Sequence, residues 1–147
     1  MSVRAHRIGL VGRVSKKADV PLPARDLYLS ALFLGRRAMV ERTCSRWFIL
    51  SAKHGLLSPD EVVAPYDQSL KQATTAERRT WSQAVLKSLD GAAGALAGCV
   101  VEIHAGGEYR AFGIAEGLKT RGAQVVVPTL GLAIGRQLAF YKHERSR

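Results

Sequence analysis

The sequence predicts a single α/β domain with three α/β/α layers, in which helices cover both faces of a central four-stranded, mainly parallel sheet. Short, continuously apolar runs alternate along the chain with longer segments of helical periodicity. This is the pattern of buried parallel strands joined by helices. The chain has 147 residues, which is enough for one hydrophobic core and too few for two. It contains no linker, repeat or low-complexity tract, so we assign residues 1–147 to one domain.

Four apolar runs predict the strands. They are HRIGLVG at residues 6–12, RWFILSA at residues 46–52, GCVVEIHAG at residues 98–106 and AQVVVP at residues 123–128. In each run, apolar residues follow one another without the regular polar alternation of a half-exposed strand. This composition indicates strands that are buried on both faces of the sheet.

The segments between the first three strands are predicted to form helices. Residues 21–43 carry two prolines at the start and then apolar side chains at helical spacing, which predicts one helix. A second helix is expected to begin near Thr74, because Thr74 and Glu77 form a capping-box pattern. Trp81 and Leu89 lie on the apolar stripe of that helix.

Two further helices complete the predicted fold. Residues 108–122 have helical spacing and end at Gly122, a residue that commonly follows the last turn of a helix. Ile134, Leu138 and Tyr141 predict one or two amphipathic turns before the basic end of the chain.

The chain is strongly basic. It has 22 Lys and Arg residues against 12 Asp and Glu residues, which gives a formal net charge of +10 and a pI near 10.2. A small basic domain is typical of proteins that bind polyanions, and nucleic acid is the first candidate. The alternative is a charged surface that serves solubility only.

Several classes of protein are not expected. No apolar run approaches the roughly 20 residues that span a bilayer, and the first ten residues lack the apolar core of a signal peptide. We therefore expect a cytoplasmic protein without membrane association. Cys44 and Cys99 are far apart and have no metal-binding spacing, so we expect no metal site, no cofactor and no disulfide framework. Nothing in the sequence indicates an obligate protein partner.

Polar and basic residues follow three of the predicted strands. The carboxyl ends of parallel strands meet at one edge of a sheet, where ligands of open α/β folds bind. We expect these residues to form one site there. They are Arg13, Lys16 and Lys17 after the first strand, Ser51, Lys53 and His54 after the second, and His104, Gly106, Gly107, Glu108, Tyr109 and Arg110 at the end of the third.

The residues after the third strand have two interpretations. Gly106 and Gly107 leave backbone N–H groups unobstructed at a helix start, which suits a phosphate, but glycine is also the usual residue of a tight turn. Arg110 favours phosphate because its planar fork fits that oxyanion. Tyr109 is suited either to stacking on a base or to burial at the start of the helix.

The long loop after the second strand supplies candidates for chemistry. His54 follows the strand where the chain leaves the core, and its ordinary pKa near neutrality suits donation to a leaving group or binding of phosphate. Lys53 is either an electrostatic partner, a nucleophilic amine or a solvated lysine. Asp67, after Pro65 and Tyr66, is placed to activate water or stabilise a sugar cation; the alternative is a helix cap.

Several motifs carry a resemblance to a known family. SAKHGLLSPDEVVAPYDQSL at residues 51–70, with IGLV, SKK, ARDLYLSALF and AGGEYR elsewhere, resembles a family of small, mostly uncharacterised bacterial and phage domains. The Lys-x-Gly-Leu-Leu-x-Pro arrangement, the Pro-Tyr pair and the later Glu-Tyr pair are similar to the YaaA peroxide-stress proteins, which bind DNA. The order of elements is distantly similar to the uracil-DNA glycosylase superfamily, as a fold-level analogy. The chain departs from this resemblance at Arg13, where relatives carry a cysteine.

The resemblance and the charge together favour a DNA glycosylase that flips a modified base out of DNA, as an antiviral function against phage. A glucosylated hydroxymethylcytosine is the first substrate to test. We expect Asp67, His54 and Lys53 to be catalytic, with Ser51, Tyr66 and residues 106–109 binding the substrate. Arg13, Lys16, Lys17, Arg110 and Arg136 are expected to hold phosphates of duplex or single-stranded DNA. The alternatives are a DNA-binding stress or defence module without chemistry and a hydrolase of free nucleosides or nucleotides.

Overall fold

The computed structural model describes residues 6–12 and 18–145. Within these ranges the chain forms seven strands, six α-helices and a short 3₁₀ helix at Leu70–Gln72. The strands are β1 Arg7–Gly12, β2 Leu22–Pro23, β3 Arg46–Ser51, β4 Gly55–Leu57, β5 Val62–Val63, β6 Val100–His104 and β7 Gln124–Val126. The helices are α1 Ala24–Leu27, α2 Ala31–Thr43, α3 Thr75–Ala93, α4 Gly107–Arg110, α5 Ile114–Thr120 and α6 Ile134–Arg145.

The main sheet has five strands in the order β4-β3-β1-β6-β7, in which β1, β3, β6 and β7 are parallel. Each of these four strands lies inside a predicted apolar run. The prediction of a four-stranded sheet was wrong by one edge strand, because β4 pairs antiparallel with the end of β3. Gly55, with φ at +74°, allows the reversal that brings β4 back. Strands β2 and β5 form a separate antiparallel pair.

Helices cover both faces of this sheet. On one face Leu10 and Ile103 pack against Val85 and Leu89 of α3, and α5 lies beside α3. On the other face Val11 and Ile49 pack with Phe33 and Val40 of α2. Helix α6 lies against α2 and contributes Tyr141 to a third buried cluster. The observed architecture is therefore a mixed α/β fold in three layers.

Three helical predictions need correction. The single helix expected over residues 21–43 is two helices, because the Ser30 hydroxyl accepts from the Phe33 N–H at 3.1 Å and begins α2 anew. The helix expected over residues 108–122 breaks at Gly113, with φ at 129°, into α4 and α5. The last helix spans 12 residues, yet its expected apolar stripe is mostly exposed: Tyr141 is buried, but Ile134 is 65% exposed.

The order of the parallel strands gives a switch point between β1 and β6. The chain passes from β1 to its neighbour β3, then crosses β1 to β6 and continues outward to β7. This reversal of direction at the carboxyl ends of β1 and β6 is where ligands of doubly wound sheets bind. The two ends lie very close together, since a Cβ on Gly12 would meet the Ala105 Cβ at 2.6 Å.

Candidate active site

Buried hydroxyl groups join the end of β3 to the long loop that follows it. The Tyr66 hydroxyl lies 2.8 Å from the Ser51 Oγ and 2.5 Å from the Tyr28 hydroxyl. All three side chains are buried. A buried hydroxyl is costly to leave without a partner, so this cluster fixes the loop around residue 66 against the carboxyl end of β3 and the end of α1. The Tyr66 ring is thus part of the support of the site.

The turn between β3 and β4 exposes two of the candidate catalytic residues. The His54 backbone N–H donates to the Ser51 Oγ at 3.1 Å, and the His54 ring meets the Tyr66 ring edge-on with 5.3 Å between centroids. The side chains of Lys53 and His54 are exposed. The same serine therefore holds both the turn and the tyrosine, and the imidazole is oriented while remaining open to a ligand.

Asp67 is delivered to the same edge of the sheet. It directly follows Tyr66 and is exposed, and the next residue, Gln68, donates from Nε2 to the Ala52 carbonyl at 3.4 Å. Within the described ranges, neither Asp67 nor Lys53 takes part in an ion pair. The carboxylate is thus held between two anchored neighbours while its own oxygens face solvent.

The glycine turn after β6 fits a tight turn better than a phosphate site. Helix α4 has four residues, and a Cβ on Gly106 would meet the Glu108 carboxylate at 2.7 Å. An acid beside Gly106 repels an anion, so the charge here opposes the phosphate interpretation. The Arg110 Nε donates to the Ala105 carbonyl at 3.1 Å, which holds this guanidinium at the end of β6.

Tyr109 supports the core beneath this turn. It is only 3% exposed, and its ring meets Trp81 edge-on with 5.4 Å between centroids. The Trp81 Nε1 donates to the Ser51 carbonyl at 2.8 Å. Of the two interpretations of Tyr109, the structure favours burial over stacking on a base, and the ring links α4 to α3 and the end of β3.

His104, expected at the site, lies instead under helix α6. Its Nε2 is 2.6 Å from the Glu102 Oε1 and its Nδ1 is 2.6 Å from the Tyr141 hydroxyl, and all of these side chains are buried. The Arg7 Nε donates to the other Glu102 oxygen at 2.7 Å. The sequence did not reveal this network, because its members come from two strands and a distant helix.

The charge states in this network follow from burial and from the pairing. Burial lowers the pKa of His104 and outweighs the opposing effect of Glu102. Burial alone would raise the pKa of Glu102, but hydrogen bonds from His104 and Arg7, together with the positive charge of Arg7, outweigh it and lower the pKa. The pair is therefore a neutral imidazole that donates from Nε2 to an ionised carboxylate, so Nδ1 accepts from the Tyr141 hydroxyl.

Arg36 connects helices α2 and α6 to the carboxyl end of β1. It is 4% exposed, and its guanidinium donates to the Gly12 carbonyl at 3.1 Å and to the Gln137 Oε1 at 3.2 Å. These bonds bring the first turns of α6 to the carboxyl end of β1. Arg136, beside Gln137, is exposed at this edge. Arg13, Lys16 and Lys17 fall outside the described residues.

A groove opens beside the loops that carry Lys53 and Asp67. It has a volume of about 570 Å³ and lies between the loop after Asp67 and the first turns of α3. No pattern in the sequence predicted this groove, although the capping box at Thr74 indicated where its helical wall begins. The lining residues are Ala52, Gln68, Ser69, Leu70, Gln72, Ala73, Ala76, Glu77, Thr80 and Trp81.

These features define a class: an α/β protein with a doubly wound, mostly parallel sheet and an exposed polar cluster at the carboxyl ends of its strands. The chain belongs to a family of unknown function, DUF6884, whose model matches residues 8–143. No curated protein and no solved structure matches the chain. The likeness to the YaaA proteins and to uracil-DNA glycosylases stays a prediction.

Two further observations bear on the site and its surroundings. In the part of the chain that the structure describes, no cluster of three or more His, Cys, Asp or Glu side chains is arranged to hold a metal ion. Over the same residues, no helix has the length and apolar character needed to cross a membrane.

Proposed function

We propose that the protein is a DNA N-glycosidase that excises a modified base and leaves an abasic site. The observation that carries the proposal is the junction of two loops at the carboxyl end of β3. There the Ser51 and Tyr66 hydroxyls, 2.8 Å apart, tie the turn of Lys53 and His54 to the loop of Asp67. At this junction the side chains of Lys53 and His54, two candidate proton donors, and the carboxylate of Asp67 are exposed, while hydrogen bonds hold the loops that carry them.

Cleavage of a glycosidic bond requires both kinds of group. The bond between C1′ of the sugar and the base nitrogen breaks with its electron pair moving to the base, so positive charge develops on the sugar. A carboxylate stabilises that charge and takes a proton from the water whose oxygen bonds to C1′. A donor near the base returns a proton to the departing nitrogen. Asp67 is suited to the first role and His54 or Lys53 to the second.

The charge distribution supports DNA as the substrate. Several acids are held in ion pairs with arginines, including Asp26 with Arg37 and Asp90 with Arg121. At the proposed site Lys53 and Arg136 are exposed and Arg110 is half-buried. Within the described residues none of these three cations forms an ion pair. This cationic edge attracts phosphates, and the net charge of +10 strengthens binding that does not depend on sequence.

In a duplex substrate the target nucleotide must leave the DNA double helix before its base can be excised. Extruding a base costs a few kcal/mol and is least costly for a mismatched, modified or unpaired nucleotide. Contacts from the cationic edge to flanking phosphates supply that free energy. We therefore propose a base-flipping enzyme whose phosphate contacts are separate from the loops that perform the chemistry.

The same positive charge also favours a second candidate, a DNA-binding module without chemistry. The variant Asp67→Asn separates the two. The enzyme hypothesis predicts loss of base excision at least about a hundredfold, within the range for a general acid or base, while duplex affinity is unchanged or higher because a repulsive charge is gone. Single-turnover formation of alkali-labile abasic sites and filter binding measure the two quantities.

A matched control is available in the same segment between β3 and α3. Asp60 is also exposed, and its ion pair with Arg25 is of the surface type that contributes little stability. Asp60→Asn makes the same chemical change and should leave excision unaltered. Equal excision rates for Asp67→Asn and Asp60→Asn would remove Asp67 from the chemistry.

A further inference from the structure

The groove beside Asp67 has the size of a ligand site. An engineered cavity of about 150 Å³ holds one benzene ring, and pockets for larger small molecules measure roughly 300–1,000 Å³. At about 570 Å³ the groove is larger than a single heterocycle needs. It has room for a base that carries a second ring-sized group.

The lining of the groove is apolar at its inner wall and polar around it. Leu70 and Trp81 are buried residues of the core that line the groove, and the Trp81 Nε1 is already bonded to the Ser51 carbonyl. Trp81 is 9% exposed, so the indole shows the groove only a small part of its ring and no free donor. That part offers an apolar contact to a heterocycle or to the C–H face of a sugar.

The polar groups of the lining favour neutral hydroxyl and amide partners over phosphate. Gln68, Gln72 and Thr80 supply donors and acceptors. Glu77 accepts the Thr74 N–H at 2.8 Å, and this hydrogen bond lowers the pKa of Glu77, so the carboxylate is ionised. A fixed negative charge in the groove accepts hydrogen bonds from hydroxyls and repels phosphate.

The groove adjoins the proposed chemistry through the chain. Two residues of the lining are neighbours of candidate catalytic residues: Ala52 precedes Lys53, and Gln68 follows Asp67. The Gln68 side chain donates to the Ala52 carbonyl at 3.4 Å and so joins the two loops. A base in the groove would leave its sugar near the exposed carboxylate and the donors.

We infer that this groove, resting on the proposed glycosidase function, is the pocket for the extruded base, and that it selects a neutral base bearing a bulky, hydroxyl-rich substituent. Trp81 forms the apolar wall of the pocket. Gln68 and Thr80 hold the polar edge of the base or of its substituent. The phosphates stay outside, at the cationic edge.

Binding to synthetic duplexes tests this inference without relying on turnover. The duplexes differ at one position, which holds cytosine, 5-hydroxymethylcytosine or glucosylated 5-hydroxymethylcytosine. The chain has two tryptophans, so the variant Trp47→Phe leaves Trp81 as the single indole reporter. In that background the glucosylated duplex should quench Trp81 and bind at least about tenfold more tightly than the cytosine duplex, a typical effect of one well-filled pocket.

A pair of substitutions on α3 locates the effect. Ala76 is exposed and lines the groove, so Ala76→Phe fills it, whereas Ala84, also exposed on α3, is not part of the lining. Ala76→Phe should abolish the preference for the glucosylated duplex and keep the affinity for the cytosine duplex. Ala84→Phe should change neither affinity.

The outcomes separate the pocket from the chemistry. No preference in the Trp47→Phe protein, or a preference that survives Ala76→Phe, would overturn the pocket even if bases are released. A preference that Ala76→Phe removes supports the pocket, and if no base is released from any duplex, only the glycosidase proposal fails.

Discussion

The hydroxyl of Tyr66 is the most direct point at which to perturb the junction of the two loops. It lies between the Tyr28 hydroxyl and the Ser51 Oγ, at 2.5 and 2.8 Å, inside the core. The variant Tyr66→Phe removes this oxygen and keeps the ring, including its contact with Tyr28 and His54. The change thus isolates the hydrogen bonds from the packing.

The expected magnitude follows from the two bonds that are lost. A typical buried hydrogen bond contributes about 1 kcal/mol net, so Tyr66→Phe should lower the free energy of unfolding by about 2 kcal/mol. For a chain near 150 residues this corresponds to a fall in Tm of about 4–8 °C, because each kcal/mol shifts Tm by about 2–4 °C. Tyr28→Phe removes the bond that the two tyrosines share, and the loss of that bond by itself costs about 1 kcal/mol.

Urea unfolding followed by circular dichroism measures both variants and their double mutant. The shared bond predicts that the double mutant is less destabilised than the sum of the two single variants. We also expect Tyr66→Phe to slow base excision, since the loop of Asp67 loses its anchor. A loss for Tyr66→Phe well below about 1 kcal/mol, or strict additivity of the two losses, would refute a junction centred on the Tyr66 hydroxyl.

Two further predictions concern the layers around the site. Gly9→Ala places a methyl group 2.7 Å from the Val40 Cγ1 and should destabilise the fold by about 1–3 kcal/mol. Gly91 is exposed on α3 with open space around it, so Gly91→Ala should instead stabilise the fold by about 0.5–1 kcal/mol. Thermal unfolding compares the two variants. The pKa of His104 is lowered in the folded protein by burial, so below about pH 6.5 the unfolded chain binds the proton first and stability falls with acidification. His104→Gln, which keeps a neutral group among Glu102, Tyr141, Arg7 and Arg36, should flatten this fall between about pH 7 and pH 5 in urea titrations; an unchanged slope would contradict a neutral, buried His104.

The parallel strands were predictable because each one lies in a continuous apolar run, although β7 at the edge of the sheet is only partly buried. Strand β4 was not, since Gly55–Leu57 is three residues long and its pairing depends on a tight reversal at Gly55. The break after α1 had a local signal in Ser30, which caps α2. The apolar spacing of residues 21–43 obscured it, because that spacing continues across the break.

The spacing of residues in the sequence did not predict which polar residues are buried. The sequence placed Lys53, His54 and Asp67 on exposed loops, and all three are exposed. His104 and Arg36 have the same polar character, yet α2 and α6 bury them. Their burial depends on contacts between elements distant in the chain, such as His104 with Tyr141, and no local pattern encodes those contacts.

The measurement that tests the proposed function most directly is the release of a base from DNA. The purified protein is incubated with unmodified DNA and with phage DNA that carries glucosylated hydroxymethylcytosine, and released bases and abasic sites are quantified by mass spectrometry. We predict release of the modified base alone, with one abasic site formed per base released, and loss of both in Asp67→Asn. Intact bases in every DNA, together with tight binding that weakens with salt, would contradict the glycosidase and identify a binding module.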